Sequence, residues 1–207
     1  MQKGAVITAD IVNYTKLSSN EQKKLIHIIS AQAKSYKLEF YRGDSFQVYL
    51  KHPNESLKFV IKLRTAAKKI NHGSMISVAD MRASIGIGNV NRPIRTLRTA
   101  SGEAFILSGR NFDNINDSSQ KLVIQSEIPS IDPTLKVIAH FVDYLLQRVT
   151  SKQAEVIFEL LNDHTQTEVA KLLHKSQATI SQHLQSAGWP EIEKLLEEFD
   201  NLTSQIQ

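Results

Sequence analysis

Residues 165–187 have the sequence TQTEVAKLLHKSQATISQHLQSA, which predicts two short helices joined by a tight turn. Val169, Ala170 and Leu173 lie on one face of the first helix, and Ile180 and Leu184 are spaced four residues apart on the second. The small side chain of Ala170 lets a second helix cross closely at that point. This combination is typical of a helix-turn-helix, and a helical hairpin of another kind is the alternative.

Polar residues at the helix ends are suited to capping. Ser176 precedes the second helix, where its hydroxyl can accept a hydrogen bond from a free backbone N–H. Thr165 followed by Glu168 has the pattern of a capping box on the first helix. His174 stands in the turn, where glycine is more usual, so we expect a histidine with a positive φ.

The outer face of the second helix carries short polar side chains, which can reach base edges in a major groove. The predicted DNA-contacting residues are Gln166, Lys175, Ser176, Gln177, Ala178, Thr179, Ser181, Gln182 and His183. Double-stranded DNA is therefore the predicted partner. A homodimer is the predicted assembly, because two such units are needed to read a palindromic site.

Charge is distributed unevenly along the chain. Residues 1–149 carry 21 Lys and Arg against 12 Asp and Glu, whereas residues 150–207 carry 4 against 9, giving net charges of +9 and −5. Neutralisation of phosphates supplies much of the affinity for DNA, so we expect modest affinity per subunit. A helix-turn-helix that contacts protein instead of DNA stays an alternative.

The composition is that of a globular protein, with 41% hydrophobic and 22% charged residues among 207. Cysteine is absent, which excludes disulfides, thiolate catalysis and cysteine-based zinc sites. No apolar run approaches the roughly 18 residues of a membrane span, and the first residues do not have the pattern of a signal peptide. We expect a cytoplasmic protein without a membrane partner.

The rest of the chain alternates strand-like and helix-like patterns. The order β-α-β-β-α-β-α-β predicts an α+β sandwich, a sheet with helices packed on it, followed by an all-α part. The predicted strands cover 4–12, 81–88 and 121–125 with a hairpin over 37–50, and the helices before the turn motif cover 20–35, 54–72, 103–114, 134–148 and 151–162. A last helix is predicted over 190–204.

The region between the sheet part and the all-α part has features of a linker and of an amphipathic helix. Pro129 and Pro133 indicate a linker, and an aliphatic stripe follows, made of Leu135, Ile138, Ala139, Val142, Leu145 and Leu146. This stripe is interpreted as core or, from its position, as a contact surface between two copies. The predicted division is a sheet domain over 1–128, a linker and dimerisation helix over 129–149, and a helix-turn-helix domain over 150–207.

Two acidic residues of the N-terminal part are candidate metal ligands. Asp10 falls at the end of the first strand and Asp44 at the tip of the hairpin, so a compact sheet can make them neighbours. Paired carboxylates bind Mg²⁺ or Mn²⁺, which in turn bind nucleotide phosphates. The alternative for Asp44 is a simple turn residue after Gly43. An aspartate in an apolar strand is costly to bury unless it is paired.

Three arginines stand close together in a polar loop, Arg92, Arg95 and Arg98. Guanidinium groups can fork onto the phosphate oxygens of a nucleotide or of the DNA backbone. The alternative is a solvated loop without a ligand.

Four segments resemble, in order, the class III adenylate and guanylate cyclases. They are DIVNYT from residue 10, RGDSF from residue 42, RASIGIG from residue 82 and GEAFILSGR ending at residue 110. The resemblance implies a cyclase-like α/β sandwich with a ferredoxin-like core and metal binding by Asp10 and Asp44. It also implies a transition-state or phosphate-binding role for Arg110. Phe40 replaces the base-recognising Lys of such cyclases, and Ile106 replaces their Asn.

A degenerate cyclase-like domain, followed by a helix-turn-helix and the stretch AGWP at 187–190, resembles the SatD family. The resemblance implies a bacterial DNA-binding transcriptional regulator without established enzymatic activity. Its N-terminal domain would be a sensor or dimerisation platform, with a nucleotide as the ligand it could take. The alternative is a metal-dependent nucleotide cyclase or nucleotidyl-transfer enzyme that uses Asp10 and Asp44 with Mg²⁺ or Mn²⁺.

Overall fold

The computed structural model describes residues 2–70, 79–115, 120–204 and 206. Its N-terminal part is a sheet whose described strands have the spatial order β2-β3-β1-β4-β5. The strands are β1 (Gln2–Val12), β2 (Lys37–Arg42), β3 (Ser45–Leu50), β4 (Asp80–Val90) and β5 (Leu122–Ser126). The central strand β1 is antiparallel to both β3 and β4, and β5 pairs parallel with β4.

Helices connect and follow these strands. They are α1 (Ser19–Gln32), α2 (Glu55–Lys69), α3 (Glu103–Ile115), α4 (Asp132–Arg148), α5 (Ser151–Leu161), α6 (Gln166–Leu172), α7 (Gln177–Ser186) and α8 (Trp189–Ser204). The predicted order of strands and helices and the α+β class are confirmed. Residues 71 and 72, the predicted end of the helix over 54–72, lie outside the described residues.

The two faces of the sheet are covered differently. On one face, Ala5, Ile7 and Ile11 of β1 join the main apolar core with Leu25 and Ile29 of α1 and with the apolar side of α2. On the other face, α3 packs on β4 so closely that a Cβ at Gly86 would lie 2.2 Å from the carbonyl oxygen of Ala104. Helix α3 thus packs directly on the backbone of β4 on this second face.

Helix α2 lies between the sheet and α5, which explains why it is buried on more than one side. Lys69 Nζ lies 3.0 Å from Glu159 Oε1 and 3.5 Å from the centre of the Phe158 ring, so an ion pair and a ring contact join α2 to α5. One continuous cluster of buried apolar residues extends from the sheet to α8. The domain boundaries at 128/129 and 149/150 stay a prediction.

The aliphatic stripe of α4 is part of this core. Leu135, Ile138, Ala139, Val142 and Leu146 are at most 3% exposed, because the helix packs on β5 and α8 of the same chain. The interpretation of the stripe as a contact surface between two copies is therefore wrong, and a homodimer would need another surface. Pro133 also does not precede this helix but lies in its first turn, where its missing N–H costs nothing.

A buried cluster of charges holds α4 against the sheet; we call Arg64, Lys68, Asp80 and Asp143 the Arg64 cluster. Arg64 is fully buried, and its Nε and Nη2 donate to the two carboxylate oxygens of Asp80 at 3.0 and 2.9 Å. Its Nη1 donates to Asp143 Oδ1 of α4 at 2.8 Å. The cluster thus joins α2, β4 and α4 through one guanidinium group.

The stability of the chain should depend on the protonation of Asp80. Burial alone would raise the pKa of Asp80, but the charge and hydrogen bonds of Arg64 outweigh burial and hold that pKa below its ordinary value. A carboxyl group whose pKa is lower in the folded than in the unfolded protein stabilises the fold at any pH above its unfolded-state pKa, which is about 4. This contribution is lost as the pH falls through the folded-state pKa.

We therefore expect the difference in unfolding free energy between wild type and Asp80→Asn to be constant above about pH 5 and to shrink at lower pH. Urea unfolding of both proteins from pH 7 to pH 2 measures it. A difference that stays constant to the lowest pH would contradict the ion-pair account.

Candidate functional site

Helices α6 and α7 present the residues predicted to contact DNA. Ile180 and Leu184 of α7 are buried, at 0% and 4% exposure, and fix which side of the helix faces outward. The exposed members of the predicted set are Gln166, Ser176, Gln177, Ala178, Ser181 and Gln182, and the half-buried members are Lys175, Thr179 and His183. The set is therefore accessible and concentrated on α7 and the turn before it.

Hydrogen bonds at the helix ends fix this surface. The hydroxyl of Ser176 accepts from the backbone N–H of Thr179 at 3.1 Å, as predicted for a cap. Thr165 and Glu168 form the predicted capping box on α6. His174 adopts φ 51°, the left-handed conformation expected for the turn. Because these bonds set both helix starts, the outer side chains of α7 stand on a rigid frame.

Cationic groups flank α7. Burial lowers the pKa of His183, and the positive charges of Lys175 and Lys152 lower it further. His183 is therefore neutral near pH 7, where it can donate and accept hydrogen bonds. Lys152 lies in the first turn of α5 and was not predicted as a site residue; its charge acts on His183, and no pattern in the sequence around it indicates this. Two lysines beside a neutral polar helix face can contact phosphates while the face itself contacts bases.

The sheet brings the two candidate metal ligands together. Asp10 of β1 is paired with Ser45 of β3, so Asp44 stands one residue beyond that pair. The backbone N–H of Ile11 donates to the Asp44 carbonyl oxygen at 3.2 Å, which closes the end of the hairpin onto β1. The predicted proximity of the two acids thus follows from strand register.

Arg82 of β4 pairs with Asp10 from the side of β1 opposite to Asp44, and it was not predicted as a site residue. Its Nε donates to Asp10 Oδ1 at 3.0 Å and its Nη2 donates to Asp10 Oδ2, a two-point pairing. The hydrogen bond to Asp10 raises the pKa of Arg82 most, and the charges of Asp10 and Asp44 add to it against the opposing effect of burial. The register of β1 on β4, which pairs position 10 with position 82, is what brings the groups together.

The oxygen ligands at this site do not suit a divalent cation. Mg²⁺ and Mn²⁺ need several oxygen ligands, and both carboxylate oxygens of Asp10 already accept from Arg82. Within residues 2–70, 79–115, 120–204 and 206, no group of three or more His, Cys, Asp or Glu side chains is placed to hold a metal ion. As folded, the donor set does not fit the ion.

A polar row crosses the same face of the sheet. The Tyr41 hydroxyl donates to Gln47 Oε1 at 2.8 Å, and the Gln47 amide donates to Thr8 Oγ1 at 3.0 Å. Thr8 in turn shares a hydrogen bond of 3.1 Å with Ser108 of α3. These bonds fix four strand and helix positions beside the Asp10–Arg82 pair, so the face is a preorganised polar surface.

The four arginines predicted to bind a nucleotide or phosphate lie apart from the Asp10–Arg82 pair or are exposed on the surface. Arg92 Nη2 donates to the Tyr49 hydroxyl at 3.3 Å, and Tyr49 is four residues from Ser45, about 13 Å along the strand. Arg95 is exposed, and Arg98 lies 5.8 Å from the Tyr41 ring. Arg110 is exposed on α3. The described contacts do not gather these four residues into one site.

Phe40 and Ile106 are the two residues that depart from the cyclase pattern. The Phe40 ring packs on the Phe46 ring at 5.5 Å between centroids, beside the main core. Ile106 is 48% exposed on α3. Neither side chain offers a hydrogen bond to a nucleotide base.

No helix in the described part of the chain is long and apolar enough to cross a membrane.

No protein-family model matches the sequence, and no curated protein matches it. Among solved structures, the chain is similar to a bacterial light-regulated adenylyl cyclase, with 12% identity and a TM-score of 0.47 over 59% of this chain and 75% of that chain. A second structure of a bacterial light-regulated adenylyl cyclase shows 13% identity and a TM-score of 0.45 over 60% of this chain and 43% of that chain. The guanylyl cyclase Cya2 shows 14% identity and a TM-score of 0.43 over 65% of this chain and 78% of that chain.

Proposed function

We propose that the chain is a DNA-binding transcriptional regulator of the SatD type, in which α6 and α7 act as a helix-turn-helix. The observation that carries the proposal is the outer face of α7, which is exposed, polar and free of Asp, Glu, Lys and Arg. A face of this kind suits contacts with base edges, since amide and hydroxyl groups match their donors and acceptors. Lys152 and Lys175 would supply phosphate contacts beside it.

The sheet part has the role of a platform in this proposal. The pairing of Asp10 with Arg82 and the apolar surroundings of Phe40 support a domain that no longer carries out cyclase chemistry. Its docking on α5 through Lys69 and Phe158 would hold the DNA-binding helices in a fixed orientation. A homodimer in the cytoplasm would place two copies of α7 on one palindromic site.

The experiment that tests the proposal is selection of bound duplexes from a random DNA pool by the full-length protein at moderate salt. Enrichment of one sequence, with an affinity that falls steeply as salt rises, supports a DNA-reading regulator. The spacing and symmetry of an enriched palindrome would report the dimer. A folded protein that enriches no sequence would overturn the proposal and favour a protein partner for α7.

Two substitutions should separate base contacts from phosphate contacts. We expect Gln182→Ala to reduce discrimination between the selected site and a mismatched site, by about 1–3 kcal/mol if Gln182 makes a paired base contact. We expect Lys152→Ala to weaken binding to all sequences alike and to reduce the salt slope by about one. Fluorescence anisotropy with both duplexes over a range of salt measures these effects.

Gln147→Ala provides the control, because Gln147 is an exposed glutamine on α4, outside α6 and α7. It should leave affinity and salt slope unchanged. If Gln182→Ala and Lys152→Ala changed every affinity equally, the assigned roles would be wrong.

A further inference from the structure

The outer face of α4 carries an exposed apolar patch, on the side of the helix that faces away from its buried stripe. The patch consists of Val137, Phe141 and Tyr144, and we call it the Phe141 patch. A spacing of four and three residues places these side chains in one row along the helix. Their exposed fractions are 58%, 56% and 53%, and they are three of the five large apolar side chains exposed in the described part of the chain.

Contacts within α4 hold this patch in shape. The rings of Phe141 and Tyr144 lie 6.5 Å apart between centroids, and the guanidinium of Arg148 lies 3.6 Å from the centre of the Tyr144 ring. Arg148 Nη1 also donates to the Tyr144 carbonyl oxygen at 3.1 Å. Aromatic and arginine side chains are enriched at the centres of protein interfaces, where they contribute most of the binding energy. The patch therefore suits a protein partner.

The charges around the patch are positive. Lys136 and Arg148 are exposed near its two ends. The two acidic residues of α4 are engaged elsewhere, because Asp132 accepts hydrogen bonds from Ser126 and Asp143 belongs to the Arg64 cluster. A surface that complements the Phe141 patch is therefore acidic, with apolar side chains between its acids.

Helix α8 has such a surface. Leu195 and Leu202 are half-buried on it. One cation, Lys194, is exposed on α8 together with five acids, which are Glu191, Glu193, Glu197, Glu198 and Asp200. Helix α8 also packs on α4 of its own chain, where a Cβ at Gly188 would lie 2.9 Å from Leu145 Cδ2. The basic apolar face and the acidic face thus belong to neighbouring helices.

We propose that the Phe141 patch is the contact surface of a homodimer, in which α4 of one copy packs against α8 of the second copy. This rests on the homodimer of the proposed function and names the surface that forms it. In a two-fold symmetric dimer every contact occurs twice, so α8 of the first copy also packs against α4 of the second. Both contacts then join a basic helix to an acidic one.

Charge disfavours the simpler arrangement in which α4 packs on α4 of the second copy. Whether the two helices run parallel or antiparallel, Lys136 and Arg148 of one copy would meet the same cations of the other. Like charges facing each other across an interface suppress such a pairing. The acidic face of α8 avoids this conflict.

Sedimentation velocity of the full-length protein over about 1–100 μM tests the contact, because dimers with dissociation constants in this range change mass with concentration. We expect wild type to dimerise and Phe141→Ser to raise the dimer dissociation constant about tenfold or more, since central aromatic side chains dominate interface energies. Ile106→Ser and Leu172→Ser are the matched controls, because each removes an exposed apolar side chain from another helix. Both should dimerise like wild type, and melting temperatures check that each variant is folded.

Two charge-reversed variants test the pairing of α4 with α8 directly. The first carries Lys136→Glu and Arg148→Glu, which makes the outer face of its α4 acidic like its α8. The second carries Glu193→Lys and Glu197→Lys, which makes the middle of its α8 basic like its α4. Each variant alone should be mainly monomeric, because like charges would face each other in both contacts. Mixed together they should form a heterodimer, since each contact again joins opposite charges.

A wild-type protein that stays monomeric over the whole range would overturn the proposal and leave the Phe141 patch to an acidic partner of another kind. A dimer that Phe141→Ser leaves intact, or that Ile106→Ser dissociates, would place the contact elsewhere and overturn it too. So would charge-reversed variants that stay monomeric when mixed. These measurements contain no DNA, so their failure is distinct from that of the duplex selection: a monomer that enriches a site keeps the DNA-binding proposal, and a dimer that enriches none keeps the contact proposed here.

Discussion

Replacement of Arg64 by alanine should lower the free energy of unfolding by about 3–5 kcal/mol, because it removes the cation that the buried carboxylates of Asp80 and Asp143 share. Lys68 would remain near Asp80 alone, with its Nζ 3.8 Å from Asp80 Oδ2. Asp80 and Asp143 are 6% and 3% exposed, so water cannot replace the lost hydrogen bonds. The loss should be larger near pH 7 than at low pH, because the charge and hydrogen bonds of Arg64 hold the pKa of Asp80 below its ordinary value. Urea unfolding followed by circular dichroism measures it.

Lys58→Ala is the matched control for this prediction. Lys58 also forms an ion pair from α2, with Asp163, but the two side chains are 45% and 79% exposed. An exposed pair of this kind contributes at most about 1 kcal/mol. If the two substitutions had equal effects, burial would not be the source of the Arg64 contribution.

Replacement of Gly86 by alanine should lower the free energy of unfolding by about 1–3 kcal/mol or more, because the added methyl group has no space. Its Cβ would lie 2.2 Å from the Ala104 carbonyl oxygen and 2.6 Å from the Ser108 backbone nitrogen. Both atoms belong to the backbone of α3, so the helix as a whole must move away from β4. The polar row through Thr8 and Ser108 would be disturbed at the same time.

Gly109→Ala is the control within the same helix. Apart from its chain neighbours and the nearby backbone of α3 itself, no atom in the described part of the chain lies within 4 Å of the Cβ that alanine would add there. Since glycine inside a helix is unfavourable, this change should raise stability by up to about 1 kcal/mol. A loss of stability in Gly109→Ala, or none in Gly86→Ala, would contradict the close packing of α3 on β4.

Local patterns predicted much of this fold. The caps at Thr165 and Ser176 and the left-handed His174 depend on neighbouring residues, and each has the expected geometry. The proximity of Asp10 and Asp44 could also be predicted, because a hairpin next to a strand leaves few positions for its tip. These features need no knowledge of distant contacts.

Features set by contacts between distant segments could not be predicted in the same way. Arg64 belongs to an amphipathic helix, and a charged residue of such a helix ordinarily faces solvent. It is buried because further elements cover α2 beyond the sheet. The pairing of Arg82 with Asp10 joins residues 72 positions apart and depends on exact register. The α4 stripe has the same spacing whether it packs on its own chain or on a second copy.

The contact of α5 with α2 has a consequence for how this protein can evolve. Lys69 lies on the Phe158 ring, and Gln32 donates to Asn162 at 3.1 Å, so the surfaces of the two halves are matched side chain by side chain. A recombination event that exchanged one half for that of a distant relative would leave apolar surface uncovered and charges unpaired. We therefore expect the exchange of one half alone to destabilise the protein, unless substitutions on the other side of this contact compensate for it.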